Sequence, residues 1–223
     1  MKRALLSWSG GKDCAWSLER LRGTDVQVAG LLTTFDERTD RVAMHAVRRS
    51  LVEDQARAIG IPLWAESLPW PCPNDRYEQI MSAVCPRAVA QDIQAVIFGD
   101  LFLEDIRSYR ERMLAGSGLE PIFPLWGLPT AALAREMLGS GLKAMVICVD
   151  RKALDAKFAG RPYDAQFLSE LPISVDPCGE NGEFHSFVYD GPMFRRPVPV
   201  QAGPVSEEGG FAFADLRCPV SAH

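Results

Sequence analysis

The sequence predicts an α/β protein: a parallel sheet covered by helices on both faces, with a Pro-rich C-terminal appendage. Three observations carry this reading. Short continuous apolar runs alternate with amphipathic stretches of helical period, the signature of strands buried on both faces. A glycine-rich turn, Ser9-Gly10-Gly11-Lys12-Asp13-Cys14, stands between the first apolar run and the first helical stretch, where such sheets bind ligands. Seven prolines crowd the chain from Pro172 to Pro219, which excludes long helices and central strands there and leaves loops and hairpin or edge strands.

In order, Ala4-Leu5-Leu6 is the first buried strand. Asp13 opens a helix with Ala15, Leu18 and Leu21 on one face, and Gly23 ends it. Val26 to Leu32 is the second strand. Val47, Leu51, Val52, Ala58 and Ile59 then mark a helix closed by Gly60 and Pro62. A short strand near Leu63 to Ala65 precedes a helix from about Asp75 to Gln91. Ala95 to Phe98 is a fully apolar strand ending at Gly99-Asp100, and Ile106, Tyr109 and Met113 mark the next helix. Ile122-Phe123 reads as a short strand, Thr130 starts another helix, and Ala144 to Val149 reads as one more strand of the same parallel sheet. The expected organisation is a nucleotide-binding domain over 1–150 and a substrate-facing region over 151–223, packed on it.

Composition narrows the function classes. An apolar fraction of 47% with 24% charged residues excludes disorder and coiled coil. A net charge of −5 without a basic run argues against a nucleic-acid-coating surface. No apolar stretch approaches the ~18 residues of a membrane span, and no signal peptide is expected ahead of the first strand, so the expected location is cytoplasmic. The six cysteines are dispersed, the nearest two being Cys72 and Cys85, which suggests neither a disulfide scaffold nor a zinc knuckle.

The first loop has the chemistry of a phosphate cradle. Gly10 and Gly11 let backbone amides approach an anion at a helix N-terminus, Ser9 adds a hydroxyl and Lys12 a charge. Asp13 has the wrong sign for phosphate and suits a helix cap or a Mg²⁺ ion bound to pyrophosphate. The loop is not a Walker A motif, since Leu6 and Asp13 occupy positions that require Gly and Ser/Thr. A plain glycine turn with a solvated Lys12 is the competing reading. Cys14 at a helix N-terminus leaves both a reactive and an inert thiol open.

The second informative segment is Pro177-Cys178-Gly179-Glu180-Asn181-Gly182-Glu183-Phe184-His185. Two carboxylates, an amide and an imidazole within six positions suit general-base and electrostatic work, with Glu180, Asn181, Glu183 and His185 the candidate catalytic set. An exposed Asn-Gly hairpin turn is the competing reading. Gly99 and Asp100 end an apolar strand at the ligand-binding edge. His45 reads as a cap or surface group, Arg107 and Glu111 as an i,i+4 ion pair, and Trp70, Trp126 and Tyr163 mainly as packing.

Ser-Gly-Gly-Lys-Asp-Cys resembles the pyrophosphatase loop of the ATP pyrophosphatases. Within them, the sequence is similar to the diphthine–ammonia ligase family through Met44-His45, Gly60-Ile61-Pro62-Leu63, Gly99-Asp100, Pro124-Leu125-Trp126 and Gly179 to His185. That resemblance covers roughly residues 3 to 194. It implies an adenine nucleotide alpha-hydrolase-like (HUP) fold and ATP with Mg²⁺ held by Ser9 to Cys14, Gly99 and Asp100, Asp13 serving the metal. It also implies a ligase that adenylates a carboxylate, releases AMP and pyrophosphate, and amidates the acceptor with ammonia. Cys14 departs from the usual Ser and is a poorer phosphate donor. In the family the acceptor is diphthine on elongation factor 2. Arg outnumbers Lys nineteen to five here, which hints at a GC-rich bacterial source and a different carboxylate acceptor. A thiolating tRNA enzyme and a non-catalytic nucleotide sensor are the alternatives, and the tail leaves a homodimer open.

Overall fold

The computed structural model describes residues 1–43 and 45–219; the Met44 position lies outside the described residues. Five parallel strands form the main sheet: β1 (Lys2–Ser7), β2 (Val26–Asp36), β4 (Leu63–Leu68), β5 (Ala95–Ile97) and β6 (Glu120–Ile122). Their order is β4-β2-β1-β5-β6, with the short β3 (Arg41–Val42) antiparallel on the end of β2. The chain builds outward from β1 to β4, then returns to place β5 on the other side of β1. That reversal puts a topological switch point between the C-terminal ends of β1 and β5. This is a Rossmann-like α/β fold.

The five longer helices form where their apolar period predicts, and a short helix over Ala165–Glu170 is one that period does not mark. In α1 (Lys12–Arg20) Cys14, Ala15 and Trp16 are buried. In α2 (Arg49–Ile59) the buried face is Leu51, Val52, Gln55, Ala56, Ala58 and Ile59, and Gly60 ends the helix in the left-handed conformation. Helix α3 (Asn74–Val89) buries only Val84, Cys85 and Ala88, all in its second half. With α4 (Glu104–Leu114) it covers the face formed by Leu5, Leu32 and Val96. Helix α5 (Thr130–Gly139) buries Leu133, Ala134 and Met137 in the larger cluster on the opposite side.

The run from Ala144 to Val149 departs from expectation. It lies in β7 (Lys143–Asp150), which belongs to a second sheet and pairs antiparallel with β8 (Pro162–Tyr163), β9 (Phe184–Asp190) and β11 (Phe211–Arg217). A continuous apolar run reports burial on both faces, and such burial is equally available at the centre of this sheet; strand direction leaves no trace in apolar content. The Pro-rich segment supplies a hairpin of β10 (Gln201–Glu208) and β11, with Pro204 on the outer strand, where a missing N–H costs least.

Candidate active site

The two sheets meet at the first loop. Val188 N–H, on the free edge of β9, donates to Gly10 O at 2.9 Å, and Lys12 N–H donates to Ser186 Oγ at 3.2 Å. From the other side Gln55 Nε2 donates to Gly10 O at 3.0 Å and Val188 O at 2.6 Å, while its Oε1 accepts from Trp8 Nε1 at 2.9 Å. Gln55 is fully buried, so this clamp fixes the loop without solvent competition. Sequence reasoning passed over Gln55. The available signal is its place among Leu51, Val52, Ala56 and Ile59, where a polar residue on a buried helix face must have partners.

Clamping the carbonyl of Gly10 turns the other side of the loop toward the cleft. Asp13 and Cys14 line the cleft, and their amides donate to no other residue's backbone among the described residues, so two donors are available at the start of α1. Gly99 supplies the space above them: a Cβ there would stand 3.1 Å from Cys14 N and from the Asp13 carbonyl carbon. Lys12 is not solvated. It is buried, its Nζ donates to the Asp13 carboxylate at 2.8 Å and to the Cys178 carbonyl, and it faces the rings of Tyr163 and Phe184. Burial is the largest influence and opposes its charge, but Asp13, Cys178 and Asp176 together outweigh it and hold the ammonium above the ordinary lysine range. The Cys14 Sγ donates to Gly11 O at 3.0 Å, and burial pushes the thiol up, which is the inert alternative.

The Lys12–Cys178 bond brings the second segment onto the first, 166 positions apart. Its two carboxylates differ. Glu183 is buried and satisfies its own turn: Oε1 accepts from Asp176 N–H and Asn181 Nδ2, and Oε2 from Asn181 N–H. Glu180 instead reaches the segment after β5: its Oε1 accepts from Leu101 N–H at 2.6 Å, and the residue lines the cleft. Burial pushes Glu180 up to about 7, with Asp13 and Asp100 adding like charge against the Leu101 hydrogen bond. That is the range of a general base. Glu183→Gln would place a donor among three donors; the expected cost is about 1–3 kcal/mol for the mismatched group, read as a lower thermal midpoint.

His45 lies in the cleft rather than on the surface, its ring centroid 4.3 Å from that of His185. Burial, then His45 and Lys12, lower His185 to about 3, so it is neutral at pH 7. An NMR titration should show no His185 transition between pH 5 and 8. Because the unfolded imidazole protonates near 6.5, this residue also removes stability as pH falls below that value toward 3.

The cleft holding these groups has a volume of about 1040 Å³, at the top of the range of about 300–1,000 Å³ for small-molecule sites. It continues past Asp100 to Phe98, Tyr109, Arg110 and Met113, and reaches Tyr77 and Met81 on the part of α3 that buries no side chain. Arg107 and Glu111 form the expected ion pair at 2.8 Å. Trp126 packs edge-on to Phe123 and Tyr163 is buried, whereas Trp70 is half exposed and lines the cleft. No three His, Cys, Asp or Glu side chains among the described residues are grouped to hold a metal.

A Rossmann-like sheet with its cleft at the switch point and a second sheet folded over it defines the class. Residues 1–121 match the diphthamide synthase N-terminal domain and residues 129–214 the diphthamide synthase C-terminal domain; the chain belongs to this family. It is 24% identical to proteins named diphthine–ammonia ligase from Bos taurus and Homo sapiens, over 93% of this chain and 86% of theirs. Against the protein of that name from Danio rerio it is 25% identical, over 93% and 90%. Among the described residues no helix is long and apolar enough to cross a membrane.

Proposed function

We propose that the protein is an ATP-dependent ligase that converts a carboxylate into a carboxamide, with AMP and pyrophosphate as the other products. The observation that carries this reading is the meeting of the open amides at the start of α1 with Glu180 across one cleft. The names of the relatives support ligation with ammonia, and so does family membership. In the first step the acceptor oxygen bonds to the α-phosphorus of ATP and pyrophosphate leaves toward Gly10, Gly11, Asp13 and Cys14. In the second step ammonia forms the C–N bond as the acyl–oxygen bond to AMP breaks, and Glu180 takes the proton. Glu183 and Asn181 hold the turn that presents Glu180. His185 and His45, both neutral, add uncharged groups to the lining of the same cleft. Magnesium suits this donor set as an ion held mainly by phosphate oxygens, with Asp13 as the carboxylate of the loop that would reach it.

The acceptor is diphthine by the names of the relatives, or another carboxylate. Turnover with the correct acceptor should release AMP and pyrophosphate in equal amounts. Release of ADP and phosphate would refute the reading, since it requires attack at the γ-phosphorus.

A further inference from the structure

Beyond the loop and the turn, the cleft is lined by an ion pair, Arg110 with Asp100, that no hydrogen bond closes. Arg110 Nε and Asp100 Oδ2 are both buried and have no hydrogen-bond partner among the described residues. They stand 3.7 Å apart, close enough for charge attraction and too far for a hydrogen bond. Each unsatisfied atom costs stability that a ligand can recover. The pair is held in place: the Arg110 guanidinium rests on the Phe98 ring at 4.9 Å, and Asp100 follows Gly99 at the end of β5. Both side chains line the cleft, as does Glu180.

A ligand group that satisfies both atoms must offer an acceptor to one and a donor to the other. We propose that Arg110 and Asp100 form a carboxamide-recognising site, Arg110 Nε–H donating to the amide oxygen and Asp100 Oδ2 accepting from the amide nitrogen. This choice of group rests on the ligase reading, in which the acceptor carboxyl gains a nitrogen in this cleft. The retained oxygen then lies on Arg110 and the entering nitrogen on Asp100, so the pair sets which oxygen is replaced. Tyr109 and Met113 continue the lining, so the acceptor carries an apolar segment beside its carboxyl group.

The test uses the full chain with 3-phenylpropionamide and 3-phenylpropionate as matched probes, read by saturation-transfer NMR without nucleotide. Wild type should prefer the amide. Arg110→Gln should weaken amide binding by about tenfold or more, the loss of one hydrogen bond to a charged group, while calorimetry shows ATP affinity unchanged. Asp100→Asn should move the preference toward the carboxylate, because an amide at this position can donate to the second oxygen. Should Arg110→Gln not fold, Arg110→Lys keeps the charge and loses the Nε donor. Equal amide-to-carboxylate ratios in wild type and Asp100→Asn would overturn the proposal, as would Arg110-independent binding. Amide binding that depends on Arg110 in a protein that never binds ATP would sink the ligase reading and leave the site standing.

Discussion

Gly10→Val is expected to abolish ATP binding. Gly10 has φ +82°, in the left-handed region where a side chain costs about 1–2 kcal/mol. An added Cβ would also lie 2.9 Å from Gln55 Oε1 and 3.3 Å from Phe187 Cδ2. Neither neighbour can withdraw, since Gln55 is clamped by Trp8, Gly10 and Val188 and Phe187 is fully buried. Overpacking of this kind adds about 1–3 kcal/mol. The loop must therefore leave its position between α2 and β9, and the open amides at the start of α1 are displaced with it. Calorimetry at a temperature where circular dichroism shows the variant folded is the measurement. Unimpaired ATP binding would remove the first loop from the site.

Glu180→Gln should lower amide formation by about 10²–10⁴-fold, the usual contribution of a general base, while ATP affinity changes little. The expectation separates this residue from Glu183, whose oxygens are spent within its own turn. It also has a pH signature. With Glu180 pushed up to about 7 by burial, the working carboxylate forms as pH rises, so wild-type rate should climb on the acidic side and level off above 7. The glutamine variant should lack that limb. The sign for stability is the reverse. The folded state keeps a proton that the unfolded state loses near 4.5, so this group removes stability as pH rises from there to about 7. A variant that retained the limb would place the base elsewhere.

Much of the fold was legible in the residues because it follows from periodicity and punctuation. Leu51, Val52 and Ile59 with Gly60 mark α2 as they stand in the chain. The phosphate-type turn is as plain, since Gly10 and Gly11 between the apolar Ala4-Leu5-Leu6 strand and Cys14-Ala15-Trp16 locate it. The density of polar groups from Glu180 to His185 likewise marked the second segment, because such groups are rarely gathered inside a core. Three things depended on contacts between distant positions. The strand holding Val146 and Val149 joined the antiparallel sheet, since apolar content records burial and not the direction of a partner. Glu180 and Glu183 have the same chemistry in sequence; only the backbone donors of Leu101 and Asn181 distinguish the cleft-lining carboxylate from the turn-holding one. Gln55, His45 and Arg110 acquired their places only when α2, the segment after β3 and α4 closed around the switch point. Sequence patterning determines which surfaces are buried, whereas hydrogen-bond partners across 45 to 174 positions are decided by how those surfaces come together.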